Sequence, residues 1–267
     1  DHGLPAYYTH SYLNPDTQIP VGWPHNPAGL NAMLIESALE YYTYSGNTEV
    51  LQLAQNVANY HLDHGMTTAT DNWANVPYAS GQSDSLTYAG ASSGNASGSG
   101  DGAGVIEPDK IGELGVSLLA LYEQTGNIRY RDAAIAGANA LASHVRAGNA
   151  TQSPWPFRVY AANNTIREQY TAHVISPIAL FDELARLNLG NVAAYQNARA
   201  TAWNWLMTYP MQNNVWANYF EDVAILSDLG NVTQMNALMT ARYLLEHPEY
   251  DANWEAHVRG LIAWSES

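Results

Sequence analysis

Cysteine is absent from the 267-residue chain, which excludes disulfides, thiol nucleophiles and cysteine-ligated metal centres. Lysine occurs once, as Lys110. Ten basic residues stand against 25 acidic ones, a formal net charge of −15. Nucleic acids and anionic lipids are bound by clustered Lys and Arg, so neither is an expected partner, and a neutral ligand suits this charge best. No run of about 18 apolar residues occurs, so no membrane-spanning helix is expected. Gly-x-Ser-x-Gly, phosphate-loop and dinucleotide fingerprints are missing, and no cofactor is expected. What is plentiful is apolar and aromatic: 46% of residues are hydrophobic, with 8 Trp and 18 Tyr. That excludes disorder and supplies a large core, since a domain of this size buries roughly 70–75% of its unfolded surface.

A Gly-Asn dipeptide recurs between helix-patterned stretches, at Gly46-Asn47, Gly126-Asn127, Gly190-Asn191 and Gly230-Asn231. Before the second, Ile111, Leu114, Leu118, Leu119 and Tyr122 share one helical face; after it, Tyr130, Ala134, Ala138, Leu141 and Val145 do the same. Gly suits the left-handed residue that ends a helix, and Asn caps the next one. A shift of 80 residues superposes Gly46 on Gly126, Ala54 on Ala134, Ala58 on Ala138 and His64 on His144. Nine helices are expected, near 29–44, 48–64, 110–125, 129–146, 174–188, 192–208, 214–228, 232–246 and 253–264. The fold class is all-α: stacked antiparallel hairpins in one domain over 1–267. Strand signals are weak, and 65–109 is expected to be a long loop insertion.

Hairpins alternate their ends. The Gly-Asn turns therefore share one end, and the connections 1–28, 65–109, 147–173, 209–213 and 247–252 share the other. Trp23, Trp73, Trp155, Trp216 and Trp254, five of the eight tryptophans, fall on or beside that second end. Loops on a rigid scaffold are where function concentrates. Indole and phenol rings pack on the apolar faces of a sugar, and Asn, Arg and carboxylates satisfy its hydroxyls. Trp23, Trp73, Tyr78, Trp155 and Trp216 are the expected platform, with His25 and Arg158 as hydroxyl partners. The competing expectation is that these aromatics plug loops onto helix ends.

Glu107 and Asp109 flank Pro108 at a helix start, with Glu113 one turn on. Such carboxylates cap free N–H groups or form an acid/base pair. Lys110 would pair with Glu107 or Glu113 or tune a neighbour. Glu221 and Asp222 follow Trp216 and are the candidates for the facing acid. A carboxylate gap of about 6.5–9.5 Å would give inversion and about 5–5.5 Å retention. Arg158, Tyr170 and His173 suit a different chemistry: Arg neutralises a uronate carboxylate while Tyr or His removes the adjacent proton. Otherwise Arg158 pairs with a local acid such as Glu168. His61, Asp63 and His64 stand at a helix end, where the dipole already favours His; no metal site is expected there. The Asn95–Asp101 stretch lacks the order of ligands of a calcium loop.

The Gly-Asn hairpins, most clearly Leu121-Tyr-Glu-Gln-Thr-Gly-Asn-Ile-Arg-Tyr-Arg-Asp-Ala-Ala134, resemble the α/α-toroid (six-hairpin) superfamily of carbohydrate-active enzymes. Trp155-Pro-Phe-Arg158, Phe181-Asp-Glu-Leu184 and Ala241–Tyr250 look like secreted bacterial members of unassigned activity. The resemblance implies a secreted or periplasmic enzyme acting on an oligo- or polysaccharide. A glycoside hydrolase on a neutral or weakly charged glycan comes first, with Glu107, Asp109, Glu221 and Asp222 as catalytic carboxylates. A polysaccharide lyase or uronate epimerase comes second, and a non-enzymatic glycan-binding or self-assembling repeat protein third. A complete toroid has twelve helices. With nine expected here, three readings stand: an incomplete barrel, a shorter solenoid arc, or a fragment of a longer chain; an open barrel would leave a hydrophobic edge for another copy to cover.

Overall fold

The structure, a computed structural model, describes residues 12–13, 16, 20–21, 26–81, 102–171, 173–212, 216 and 235–266. Eight α-helices lie among them: α1 Pro27–Ser45, α2 Thr48–His64, α3 Pro108–Thr125, α4 Ile128–His144, α5 Ile175–Arg186, α6 Val192–Leu206, α7 Met235–Glu246 and α8 Trp254–Ser265. The expected helix near 214–228 lies outside the described residues. The others match the sequence expectation to within a few residues.

The hairpin turns form as their chemistry requires. Gly46, Gly126 and Gly190 adopt left-handed φ values of 66°, 70° and 69°. Asn47, Asn127 and Asn191 then cap α2, α4 and α6, accepting from the N–H of Glu49, Arg129 and Ala194. The Gly230-Asn231 turn lies outside the described residues. A side chain in the left-handed region costs about 1–2 kcal/mol, so Gly126→Ala should destabilise the chain by that amount in a urea titration. Asn127→Ala should cost about 1 kcal/mol.

α1 packs on α3 and α3 on α5, while α2, α4 and α6 back them as hairpin partners. The approach of α3 to α5 is set by Gly112. A Cβ there would lie 2.3 Å from the Ser176–Pro177 backbone, so any other residue would push the helices apart. The core between the layers holds Ile35, Ile111, Leu118, Tyr130, Trp155, Phe181, Tyr195 and Trp205, all essentially inaccessible.

Strand signals are weak in the sequence, yet two strands form in the 147–173 connection and a third, at the end of the 65–109 insertion, pairs with them. β3 (Val105–Ile106), β4 (Pro156–Tyr160) and β5 (Ile166–Thr171) form an antiparallel sheet in that order; β1 (Tyr12–Leu13) pairs with β2 (Pro20–Val21) elsewhere. The cause is tertiary. β3 supplies the partner for β4 from 50 residues upstream, pairing Val105 with Tyr160 and Ile106 with Val159. Further backbone bonds tie this end together. Asn26 N–H donates to Ala79 C=O, Ala79 N–H to Val105 C=O, and Trp73 N–H to Ala161 C=O, at 3.0–3.1 Å. The described part of the 65–109 insertion is thus pinned over the N-terminal ends of α1 and α3.

His61 does not join Asp63 and His64 in a metal site. Its ring is fully buried and bonds through Nδ1 to Asn31 Nδ2 at 3.0 Å, whereas Asp63 pairs with Arg129 on the exposed side. Burial pushes the His61 pKa down from 6.5 to about 4. The unfolded chain therefore takes up a proton as pH falls through 6.5, and the native one does not until about 4. Folding stability should drop across that window by roughly 3 kcal/mol and level off below it. Urea midpoints measured between neutral and acid pH should show the drop, and His61→Gln should flatten it.

Candidate functional site

The N-terminal ends of α1, α3 and α5 meet at one place, and an ionic cluster fills it. Pro108 occupies the first helical position of α3, which its fixed φ favours. That leaves Glu107, Asp109 and Lys110 in the first turn, all buried. Glu107 does not cap the helix: it stands at the cap position without a cap bond. Its Oε1 instead accepts from Arg158 Nε at 2.8 Å. Arg158 reaches it from β4, where it pairs across the sheet with Glu168 of β5. Its Nη1 donates to Glu168 Oε2 at 2.9 Å, and its guanidinium lies 4.3 Å from the Phe157 ring centre. The local-acid reading of Arg158 is the one present.

Asp109 and Glu113, four residues apart on one face of α3, form the second half of the cluster with Lys110 and His173. Lys110 Nζ lies 3.1 Å from Glu113 Oε1 and 3.5 Å from Asp109 Oδ2. His173 Nε2 lies 3.0 Å from Glu113 Oε1 and 3.3 Å from Asp109 Oδ2. His173 arrives from the short link between β5 and α5, so the unexpected sheet is what delivers it. On the α1 side, a Cβ on Gly29 would lie 2.6 Å from Glu113 Oε2. A side chain there would crowd this carboxylate and the Asn26 amide, and one of them would have to shift.

The charges fix the protonation pattern. Burial pulls the His173 pKa down, but Asp109 and the hydrogen bond with Glu113 outweigh it despite opposition from Lys110, and the net shift is upward from 6.5. For Glu113, burial and Asp109 work upward, but the bond from His173 and the charge of Lys110 prevail, holding the carboxyl below 4.5. Two carboxylates therefore face the Lys110 ammonium and the His173 ring, and the cluster is neutral when His173 is protonated. The stability this gives His173 is complete below pH 6.5 and is lost as pH rises through its raised pKa.

Ligand atoms of Asp109, Glu113 and His173 lie within 4.8 Å of one another, a spacing that a cation could bridge. The Lys110 ammonium already lies against both carboxylates. A divalent ion would have to displace it and deprotonate His173, so the donor set suits an internal ion-pair network better than a metal.

Four of the expected site residues, Glu107, Asp109, Arg158 and His173, are thus brought together. Access separates them from Glu113. The Glu107, Asp109 and His173 side chains are at most 2% exposed, whereas that of Glu113 is 22% exposed. Glu113 was noted in the sequence only as a neighbour; its four-residue spacing from Asp109 was the signal that places it on the same helical face.

The expected aromatic platform requires a correction. Trp73 and Trp155 have no exposed surface and Trp216 is 2% exposed, so none offers a face to a sugar. Trp73 stacks on His144 at 4.0 Å and donates to Asn164; Trp155 donates to Leu141 C=O. These rings plug loops onto helix ends, as the competing expectation had it. Tyr78 remains half-buried. Tyr170 stands on β5 with its side chain outside the described residues, as are Trp23, His25, Glu221, Asp222 and the Asn95–Asp101 stretch in their entirety.

No protein-family model matches the chain, and no curated protein matches it. Solved structures do. A sugar epimerase from a ruminal bacterium superposes with a TM-score of 0.61 at 10% identity, over 96% of this chain and 64% of that one. A family 76 glycoside hydrolase from a bovine Bacteroides thetaiotaomicron strain gives 0.56 at 14%, over 92% and 48%. The unsaturated glucuronyl hydrolase of Bacillus sp. GL1 gives 0.54 at 16%, over 90% and 60%. The chain spans less than two thirds of each of these proteins. With its layered hairpins superposing on these structures, the chain has the fold of an α/α toroid.

Proposed function

We propose that this chain is a carbohydrate-active enzyme, and specifically a glycoside hydrolase acting on a neutral or weakly charged oligo- or polysaccharide outside the cytoplasm. The observation that carries this reading is Glu113. It is an ionised, partly accessible carboxylate, backed by a buried Lys110–Asp109–His173 set, at the end of the toroid where the inner helices begin. A carboxylate held below its ordinary pKa suits a base or an oxocarbenium stabiliser. Glu107 and Asp109 act from behind it. Glu107 fixes Arg158 and the sheet that delivers His173, and Asp109 fixes His173 and Lys110. The net charge and the named activities of the structural neighbours agree with a sugar substrate.

The lyase reading has less support. Arg158 is buried and engaged by carboxylates on two sides, so a substrate uronate would have to break both pairs to use it.

The test is a glycan panel read for reducing ends and for the ultraviolet absorbance of an unsaturated uronate. Reducing ends without the absorbance support hydrolysis. Absorbance would transfer the assignment to a lyase. Binding without turnover of any glycan would leave a non-enzymatic module.

A further inference from the structure

Arg146 stands apart from the other arginines. The chain has nine of them, and eight form an ion pair with a described Asp or Glu. Arg146 forms none with a described residue, in a chain of 25 acids. It follows α4 by two residues, and the loop holds it in place. Its backbone N–H donates to Pro154 C=O at 3.1 Å and its Nε to Ser153 C=O at 2.9 Å. Its Nη1 reaches the amide oxygen of Gln169, on β5, at 3.4 Å. Two donors are left over. Arg146 Nη2 and Gln169 Nε2 are both closed to solvent, with no hydrogen-bond partner among the described residues.

Buried donors without partners are costly, the more so when one carries charge. The chemistry of this pair says what would relieve the cost. Both atoms are donors, so the missing group is an acceptor. One belongs to a guanidinium, so a water would complete the hydrogen bonds and leave the charge uncompensated. An anion does both. Burial lowers the Arg146 pKa with no neighbouring charge opposing it. The residue at 169 points the same way: a glutamate would supply a carboxylate, whereas the amide brings a second donor.

We propose that Arg146 and Gln169 form a binding site for a small monovalent anion of chloride size, held by Arg146 Nη2 and Gln169 Nε2. The size follows from burial. A carboxylate carried on a glycan cannot reach atoms closed to solvent, but a bare ion can be enclosed with them. The anion ties the loop after α4 to β5. Gln169 adjoins Glu168, the partner of Arg158, and His173 follows four residues on, so the site braces the sheet that delivers both. This inference is independent of the hydrolase reading.

The experiment is a thermal melt of the whole chain in sodium chloride against sodium gluconate at equal ionic strength, which keeps general screening constant. Wild type should melt about 5 °C higher at a hundredfold excess of chloride over its dissociation constant, along a saturating curve. Q169E places a carboxylate beside Arg146. Its melt in gluconate should equal or exceed that of wild type, and the chloride response should vanish. R146Q removes the charge and should lose the response as well. A wild type indifferent to chloride overturns the proposal. So does a response that survives intact in Q169E or R146Q, and if R146Q does not fold, Q169E decides alone.

Discussion

Glu113→Gln should abolish most turnover while leaving the fold in place. Glutamine keeps an oxygen that can accept from Lys110 Nζ and His173 Nε2, the two groups that hold the carboxylate at 3.1 and 3.0 Å. What it removes is the negative charge and the ability to take a proton. Losing a positioned acid/base group costs about 10²–10⁴-fold, so release of reducing ends should fall by that factor, with a melt close to that of wild type. The pH profile adds an independent check. Glu113 is active as a carboxylate, and its pKa is held below 4.5. Activity should therefore persist as pH falls to about that value and decline only beneath it. Lys110→Met removes one of the charges that hold the pKa down, so the acid limb should move to higher pH. A mainly structural Glu113 would instead lower the melt and leave the shape of the profile alone.

Arg158→Met should have the largest effect on stability. The guanidinium is buried between Glu107 and Glu168, at 2.8 and 2.9 Å, and it ties the start of α3 to both long strands of the sheet. Removing it leaves the Glu107 carboxylate, 2% exposed, without its arginine. Breaking a buried pair by deleting one partner typically costs about 3–5 kcal/mol, whereas replacing both partners with apolar groups is often close to neutral. The double variant Arg158→Met, Glu107→Leu should therefore recover most of the loss, with Glu168 left to solvent at the sheet edge. Urea midpoints for the two single variants and the double provide the measurement. The lyase reading makes the opposite forecast for Arg158: lost activity with little change in midpoint.

These two residues also show where the sequence was legible. Asp109 and Glu113 were readable as same-face neighbours because helical periodicity is local. Arg158 could be matched with Glu168 because they are ten residues apart within one connection. Its bond to Glu107, 51 residues upstream, leaves no mark in either segment. Nor did the approach of His173, which depends on a sheet whose strand β3 is two residues long. The tryptophans misled for a related reason. A Trp beside a helix end has the same composition whether its ring faces sugar or packs on His144, and only burial separates the two.

The sequence alone determined the helices, their turns and their order. Each of the three described Gly-Asn junctions is a local event, in which one residue adopts positive φ and the next offers an oxygen to a following N–H group. The apolar periodicity around each junction specifies which faces must meet, and hence stacked hairpins. The chemistry of the inner end was decided by the tertiary structure. Gly112 allows α5 to close on α3, and Asp109, Lys110 and His173 are buried where the helices meet. Out of water, their charges act strongly enough on one another to fix the state of Glu113. Side-chain identity is written in the sequence. Exposure, and with it the difference between a structural carboxylate and a reactive one, exists only once the helices have packed.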